Sequence, residues 1–293
     1  IGEYDQHILA EPYGMLGELV PQHAFKVHPY RRGVIGDPEN LNAATLDDVR
    51  HFHATYYRPD NATLVIVGDF ESAQLDGWID AYLAPIARPE TPLPRVSVVE
   101  PAQTEERRLQ HIAPSAPLPA LQFAWHIGSA GDAEMPALDL IETLLGVGRS
   151  SRLYTSLVYT HQAATSAWAG ADWTEQPGLF TIRATAAAGK SLAQIEALID
   201  AEIERLANEP VRDDELEKIK TQLFASMVRE RATYTDIAQM LIRSAMVRDS
   251  AHAVDDDWKR YAAVDAETLQ AVAGRVFARG NRTAVEYVPG GAA

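Results

Sequence analysis

Apolar residues recur three and four positions apart through much of the chain, and this spacing is typical of amphipathic helices. We predict Thr45 as the N-cap of the first such segment, which has two acidic residues in its first turn. The acid-rich start at Asp213 indicates another helix N-terminus. The pattern predicts helices over residues 45–56, 72–83, 137–145, 152–159, 192–206, 213–229, 234–246 and 267–277.

Other segments are rich in β-branched residues or alternate between apolar and polar positions, as strands do. They predict strands over residues 62–67, 107–112, 121–127, 165–172, 179–186 and 283–288. The turn Gln176-Pro177-Gly178 separates two of these strands, which we therefore expect to form a hairpin.

Residues 84–103 interrupt both patterns because they contain prolines at positions 85, 89, 92, 94 and 101. Proline removes a backbone donor and breaks helices and central strands. We therefore expect a linker at 84–103, with one domain segment over residues 1–83 and another over residues 104–293.

The ends of these two segments resemble each other. Residues 45–49 and 61–65 parallel residues 265–269 and 281–285 with one constant offset, since 265 − 45 and 281 − 61 are both 220. If each copy closes a domain, residues 104–293 form a complete domain and residues 1–83 are the C-terminal part of another. Chance similarity between two helix-then-strand segments is the alternative. The sequence opens at Ile1 without an initiator Met, which suggests a fragment or a processed product.

Charge and composition narrow the function classes. The chain of 293 residues has 26 basic and 41 acidic residues, a formal net charge of −15, which argues against binding to nucleic acid or to an anionic membrane. Cysteine is absent, so a thiol nucleophile and cysteine-ligated metal sites are excluded. The longest apolar runs are far shorter than the roughly 20 residues that a membrane-spanning helix needs.

Common catalytic motifs are missing. The chain contains no Glu-His or His-Glu dipeptide, so it carries neither an HExxH nor an HxxEH zinc motif. His51 and His53 are two apart on a predicted helix and project to different faces, and His23 and His28 beside Glu18 match no metal signature. The glycine-rich residues 146–151 lack the third glycine of a dinucleotide-binding loop and indicate a turn between helices.

An ordered set of motifs nevertheless resembles the pitrilysin/insulinase family of zinc peptidases, in its bacterial and mitochondrial-processing-peptidase-like branch. The set extends over almost the whole chain, from AFKVHPY (24–30), VIG (34–36), YYRPDNA (56–62) and LVIVGDF (64–70) to LLGVGRSSRLY (144–154), ELEKIK (215–220) and the closing segment 283–289. The resemblance implies an α+β fold of two homologous domains. Each would be an antiparallel sheet with helices packed on one face, and the first would be incomplete here.

The resemblance also implies a zinc site in the intact protein. The family binds zinc through the two histidines of an HxxEH helix, whose glutamate is the general base, and through a distal glutamate. The start Ile1-Gly2-Glu3-Tyr4 matches the end of the family's V-I-x-E-Y stretch, so Glu3 is a candidate for that distal ligand; an exposed terminal glutamate is the alternative. The histidines and the base would lie upstream, and we expect this chain alone to bind no zinc and to be inactive.

A second family element is an arginine followed seven positions later by a tyrosine, which hold the substrate backbone. Tyr261 lies at the tyrosine position, but Val254 stands where the arginine is expected. Arg152 and Tyr159 have the same spacing in a different element, so the role is not transferred to them. A partner subunit could therefore supply the arginine.

These observations lead to the hypothesis that the chain is part of a zinc-dependent endopeptidase that cleaves peptides or unfolded polypeptides in a closed chamber. The chain would supply the second domain and enclose substrate. A non-catalytic homologue, acting as a structural or substrate-holding subunit of a heterodimeric peptidase, is the alternative, and an α+β enzyme of another family with a dispersed site stays open.

The expected partners are a peptide substrate, the missing upstream segment and a homologous subunit in a homodimer or heterodimer. The compartment is undetermined between the periplasm and the cytoplasm of a bacterium, with the periplasm slightly favoured.

Overall fold

The computed structural model describes residues 1–290, which form two compact units. The first unit contains residues 1–38, 98–225 and 258–290, and the second contains residues 39–97 and 226–257. Residues 1–38 thus share a unit with residues of the second predicted domain. The two units are defined by how the chain packs. The predicted domains at 1–83 and 104–293, with a linker at 84–103, are defined by homology and stay a prediction.

Helices dominate the described part of the chain. They are α1 (Gly2–Tyr4), α2 (Leu16–Ala24), α3 (Pro38–Ala43), α4 (Leu46–Tyr56), α5 (Ser72–Tyr82), α6 (Met135–Gly146), α7 (Leu192–Asn208), α8 (Asp213–Arg229), α9 (Tyr234–Arg248), α10 (Asp257–Ala262) and α11 (Ala266–Val276). Segments Asp5–Leu9 and Tyr154–Thr160 are π-helical, and short 3₁₀ turns occur at Pro29–Arg31, Pro59–Asn61, Ala251–Asp256 and Arg279–Asn281. None of the helices in residues 1–290 is long and apolar enough to cross a bilayer.

Five strands form one sheet in the first unit. They are β1 (Arg107–Ala113), β2 (Ala120–His126), β3 (Ala164–Ala171), β4 (Leu179–Ala186) and β5 (Arg282–Pro289), in the order β1-β5-β2-β4-β3. β3 and β4 pair as the predicted antiparallel hairpin. β1 pairs parallel to β5, so the sheet is mixed and not purely antiparallel as expected. Parallel neighbours need a long connection, and most of the unit lies between these two strands.

Both faces of the sheet are covered at its centre. We call them the α7 face, on which Phe123 and Trp125 of β2 lie, and the α2 face, on which Ala120 and Ala124 lie. Helix α7 presents its buried isoleucines to the α7 face at helical spacing, together with α6 and α11. Helices α6, α7 and α11 therefore lie on one face, as expected, and α2, which precedes the predicted linker, covers the other.

Helix α2 contributes a substantial part of the core. Leu16, Leu19 and Val20 are buried against a cluster that includes Val285 and Tyr287 of β5. Fully burying such a side chain stabilises a fold by about 1.5–3 kcal/mol. This contact joins residues that precede the predicted linker to the sheet that follows it.

The second unit has little buried apolar surface. Neither α4 nor α5 has a buried residue. Residues 62–67, which we predicted as a buried strand, form no strand, and Leu64 and Ile66 are exposed. A strand needs a neighbour for its backbone hydrogen bonds, and residues 62–67 have no strand partner among the described residues.

The repeat seen in the sequence recurs in local structure. Thr45 caps α4 through a hydrogen bond from the backbone N–H of Asp48, and Asp265 caps α11 through the N–H of Thr268. Asn61 donates its side-chain amide to the carbonyl oxygen of Tyr56 at 2.9 Å, and Asn281 donates to that of Val276 at 2.9 Å. Each of these pairs keeps the offset of 220 residues, and a strand follows the second copy only.

Candidate functional site

Tyr261, the predicted substrate-holding residue, belongs to a buried polar cluster in the first unit. Its hydroxyl donates to Oδ2 of Asp139 at 2.6 Å, and the indole Nε1 of Trp173 donates to Oδ1 at 2.8 Å. Asp139 lies in helix α6 between apolar neighbours, and both Asp139 and Tyr261 are buried. We call these three residues the Asp139 cluster.

Burial dominates the electrostatics of this cluster. It raises the pKa of Asp139 to about 7, although the hydrogen bonds from Tyr261 and Trp173 favour the charged form. Glu142, one turn further along α6, also has a pKa raised by burial, and it accepts the backbone N–H of Ala171 at 2.9 Å. Two carboxyl groups of α6 therefore hold the end of the β3–β4 hairpin.

The Asp139 cluster can hold or release a proton near neutral pH. Both of its carboxyl oxygens already accept a hydrogen bond from a fixed ring, so the carboxyl group positions Tyr261 and Trp173. The hydroxyl of Tyr261 is directed to Asp139, and its predicted contact with substrate stays a prediction.

Val254, at the expected arginine position, lies in the 3₁₀ turn of the second unit and is buried. The guanidinium of Arg231 donates to its carbonyl oxygen at 3.4 Å. Arg248 is the nearest arginine before Val254 in the sequence. Its guanidinium donates to both carboxylate oxygens of Asp257, at 2.6 and 3.0 Å. These two arginines therefore serve contacts inside the second unit.

Glu3 lies in the short helix α1 and is exposed. Within residues 1–290, no three His, Cys, Asp or Glu side chains are grouped as a metal site would require. Glu3 could supply one carboxylate ligand, and structural or catalytic zinc needs three or four ligands. The residues described here therefore do not form a zinc site by themselves, and no catalytic step through zinc follows from them.

A second polar cluster connects the end of the predicted linker to the HPY segment. The carboxylate of Glu100 accepts three successive backbone N–H groups, from Lys26, Val27 and His28, at 2.6, 2.9 and 3.0 Å. These hydrogen bonds lower the pKa of Glu100, against the opposing effect of its desolvation. His28 accepts the backbone N–H of Tyr30 at Nδ1, so its Nε2 donates to the side-chain oxygen of Gln176 at 2.6 Å. The HPY segment is thereby tied both to the linker and to the hairpin.

Sequence reasoning missed Asp139, Trp173 and Glu100. For Asp139 a signal existed, because a single acidic residue in the middle of the apolar run Ala137 to Ile141 requires a buried partner. Nothing in the sequence near Trp173 or Glu100 indicates which partner each would find.

The fold and the comparisons define the class of protein. The family model described as the peptidase M16 inactive domain matches residues 43–223. The chain therefore belongs to the peptidase M16 family, which includes the pitrilysin-type zinc peptidases that its motifs resemble.

Curated relatives are similar over most of this chain. The zinc protease PqqE of Helicobacter pylori is 26% identical over 282 residues, covering 95% of this chain and 63% of that protein. A probable mitochondrial-processing peptidase subunit beta of Arabidopsis thaliana is 23% identical and covers 91% of this chain and 52% of that protein. The chain thus spans about half to two thirds of the length of these relatives.

Solved structures share the fold. A protease from Helicobacter pylori superposes with a TM-score of 0.93 at 24% identity, over 98% of this chain and 70% of that one. A peptidase M16 inactive domain from Pseudomonas fluorescens superposes with a TM-score of 0.83 at 18% identity, over 97% of this chain and 67% of that one. The α+β fold expected from the sequence is confirmed.

Proposed function

We propose that this chain is part of a zinc-dependent M16 endopeptidase, in which it supplies the second domain, encloses peptide substrate and is inactive by itself. The observation that supports this most directly is the family match to an inactive domain in a chain without HxxEH. The relatives named as zinc proteases are longer than this chain, which leaves room in them for a metal-bearing part.

Zinc would be held in the intact protein by residues outside this chain together with Glu3. The exposed position of Glu3 leaves its carboxylate available to such a site. In that site zinc would activate a water molecule for attack on a peptide carbonyl.

The second unit supplies the surface on which the rest of the intact protein would pack. Leu46, Val49 and Phe52 of α4 are each more than half exposed. Contiguous exposed apolar surface usually marks an interaction site. We propose that upstream residues of the intact protein cover this surface, and that residues 62–67 become a strand when a neighbouring strand is present.

Substrate holding would be shared between subunits. Since Val254 replaces the expected arginine, a homologous subunit would supply the guanidinium that acts with Tyr261. One relative is named as a subunit of a processing peptidase, which fits an assembly of this kind.

A non-catalytic homologue is the second candidate, favoured by the description of the matching family model as an inactive domain. The two candidates differ upstream of Glu3. A peptidase should carry HxxEH roughly 70 to 80 residues before Glu3, and a substrate-holding subunit should lack it.

The test is to read the coding sequence upstream of Ile1 and to measure zinc in the protein that the whole gene encodes. We expect HxxEH, one zinc per chain, and lower zinc occupancy after Glu3→Gln. Glu11→Gln, another exposed glutamate in the same region, is the control that should keep zinc. A gene product without HxxEH would refute the proposed peptidase function and support a non-catalytic, substrate-holding subunit.

A further inference from the structure

Part of the α2 face of the sheet is left uncovered. Helix α2 packs over β1, β5 and β2, whereas Trp168 on the edge strand β3 is 51% exposed. In the ladder, Trp168 stands opposite Arg183 of β4, and Arg183 stands opposite Gln122 of β2. Directly opposed side chains lie on one face with their Cβ atoms about 5 Å apart. Together with Tyr13 these residues form what we call the Arg183 patch.

The guanidinium of Arg183 is held in place by an aromatic ring. Its Cζ lies 5.0 Å from the ring centroid of Tyr13. Tyr13 is itself fixed, because its hydroxyl donates to the carbonyl oxygen of Leu118 at 2.9 Å and its ring contacts that of Tyr287. A guanidinium stacked on a ring keeps its N–H donors in its own plane, where they are available to a planar acceptor.

No carboxylate in the described part of the chain pairs with Arg183. The ionisable groups that act on it are the phenols of Tyr13 and Tyr287, and burial lowers its pKa. The guanidinium stays protonated at physiological pH all the same. In a chain with 41 acidic and 26 basic residues, a half-buried arginine without an acidic partner is conspicuous, because a partly desolvated charge costs free energy unless an anion pairs with it.

Trp168 stands opposite this charge on the neighbouring strand. A Cβ at Gly170 would collide with the indole ring, so the ring extends along β3 over that glycine, and half of the tryptophan surface stays exposed. The patch therefore combines an unpaired cation with a flat apolar surface, and it borders the free edge of the sheet because β3 pairs with β4 alone among the described strands.

We propose that the Arg183 patch binds a carboxylate of a peptide ligand. The planar fork of Arg183 matches a carboxylate in a two-point hydrogen bond, and Trp168 packs against the apolar atoms next to it. The carboxylate comes either from an Asp or Glu side chain or from the peptide C-terminus. The inference rests on the proposed function in taking a peptide as ligand, and it adds which chemical group of the peptide this domain recognises.

Three acetylated nine-residue peptides of Ala and Ser test this with the 293-residue chain in isothermal titration calorimetry. The first has a central Glu and an amidated C-terminus, the second a central Gln and an amidated C-terminus, and the third a central Gln and a free C-terminal carboxylate. We expect the first or the third to bind about tenfold or more tightly than the second, as for hydrogen bonds to a charged group. Which of the two binds shows the source of the carboxylate.

Arg183→Gln and Arg183→Met should both abolish this preference, and the methionine keeps an apolar stem over Tyr13 if the glutamine variant does not fold. Arg229→Gln removes the same charge at an exposed position and should keep the preference. Equal affinity of the three peptides for the unaltered chain, absence of binding, or a preference that survives in a folded Arg183 variant would overturn the inference. None of these results bears on HxxEH or on zinc in the intact protein, so the proposed function would fail or stand separately.

Discussion

The hydroxyl of Tyr261 lies 2.6 Å from a carboxyl oxygen of Asp139, although the two residues are 122 positions apart. The contact connects α10 to the middle of α6, inside the first unit. Since a buried carboxyl group is charged only at a cost, this pair makes the stability of the fold depend on pH.

Asp139→Asn should change that pH dependence. The pKa of Asp139 rises from 3.8 to about 7 in the folded chain, so its contribution to stability is fully present below pH 3.8 and is lost as the pH rises through 7. The shift corresponds to roughly 4 kcal/mol. The asparagine cannot ionise, so the variant should match the native chain near pH 4 and exceed its stability at pH 8, as measured by urea unfolding across pH.

Asp80→Asn, at an exposed position, is the matched control and should leave the curve unchanged. If Asp139→Asn and the native chain lose stability in parallel between pH 4 and pH 8, Asp139 is not the group responsible.

Arg152 and Glu215 should show the opposite pH dependence. Their side chains pair at 2.7 and 3.0 Å and are nearly buried, and the hydrogen bonds from Arg152 lower the pKa of Glu215. This stability is present above pH 4.5 and is lost as the pH falls through the lowered pKa. Glu215→Gln should cost up to about 3–5 kcal/mol at pH 7, because it removes the carboxylate that is hydrogen-bonded to the buried guanidinium of Arg152, and much less at acid pH.

The control is Asp214→Asn, because the carboxylate of Asp214 pairs with the exposed Arg212. Thermal unfolding measures the loss of stability in Glu215→Gln and in this control. The exposed pair should contribute far less than the buried one, because water screens it. Equal losses in the two variants at pH 7 would contradict the burial argument.

Helix α2 should contribute to the stability of the sheet that follows the predicted linker. Leu16 is fully buried against that sheet, so Leu16→Ala should destabilise the chain by about 2–5 kcal/mol. Leu46→Ala, on the exposed surface of α4, should change stability by less than about 0.5 kcal/mol. Residues 104–293 expressed alone should for the same reason be less stable than the whole chain; an equal unfolding midpoint would show that α2 adds nothing.

The apolar surface of the second unit should drive association. We expect sedimentation at micromolar concentration to show species larger than 32.2 kDa. Phe52→Ser and Leu46→Ser together should shift the chain towards the monomer, whereas serine at the exposed but polar His51 should not. A monomeric native chain would contradict the expectation.

The sequence predicted local structure well and non-local structure less well. Helical spacing located α4 to α9 and α11, apart from the π-helical Tyr154–Thr160, and the N-cap predicted at Thr45 is confirmed. These features depend on residues within a few positions of each other, which a sequence displays directly.

What the sequence did not predict depends on distant partners. β1 pairs parallel to β5, which follows it by more than 160 residues, and residues 62–67 need a neighbouring strand as well as β-branched residues. The contact of Tyr261 with Asp139 and the unpaired charge of Arg183 likewise arise only when separate elements meet. The candidate zinc ligand Glu3 rests on a local motif, and its role stays a prediction.

The most direct test of the proposed function compares zinc content and peptide cleavage in the whole gene product and in the 293-residue chain, each purified and dialysed. We predict one zinc per chain and cleavage of an internally quenched peptide by the whole product, with neither in the 293-residue chain. A tightly held zinc or peptidase activity in the 293-residue chain, or a whole product with HxxEH that neither binds zinc nor cleaves, would contradict it.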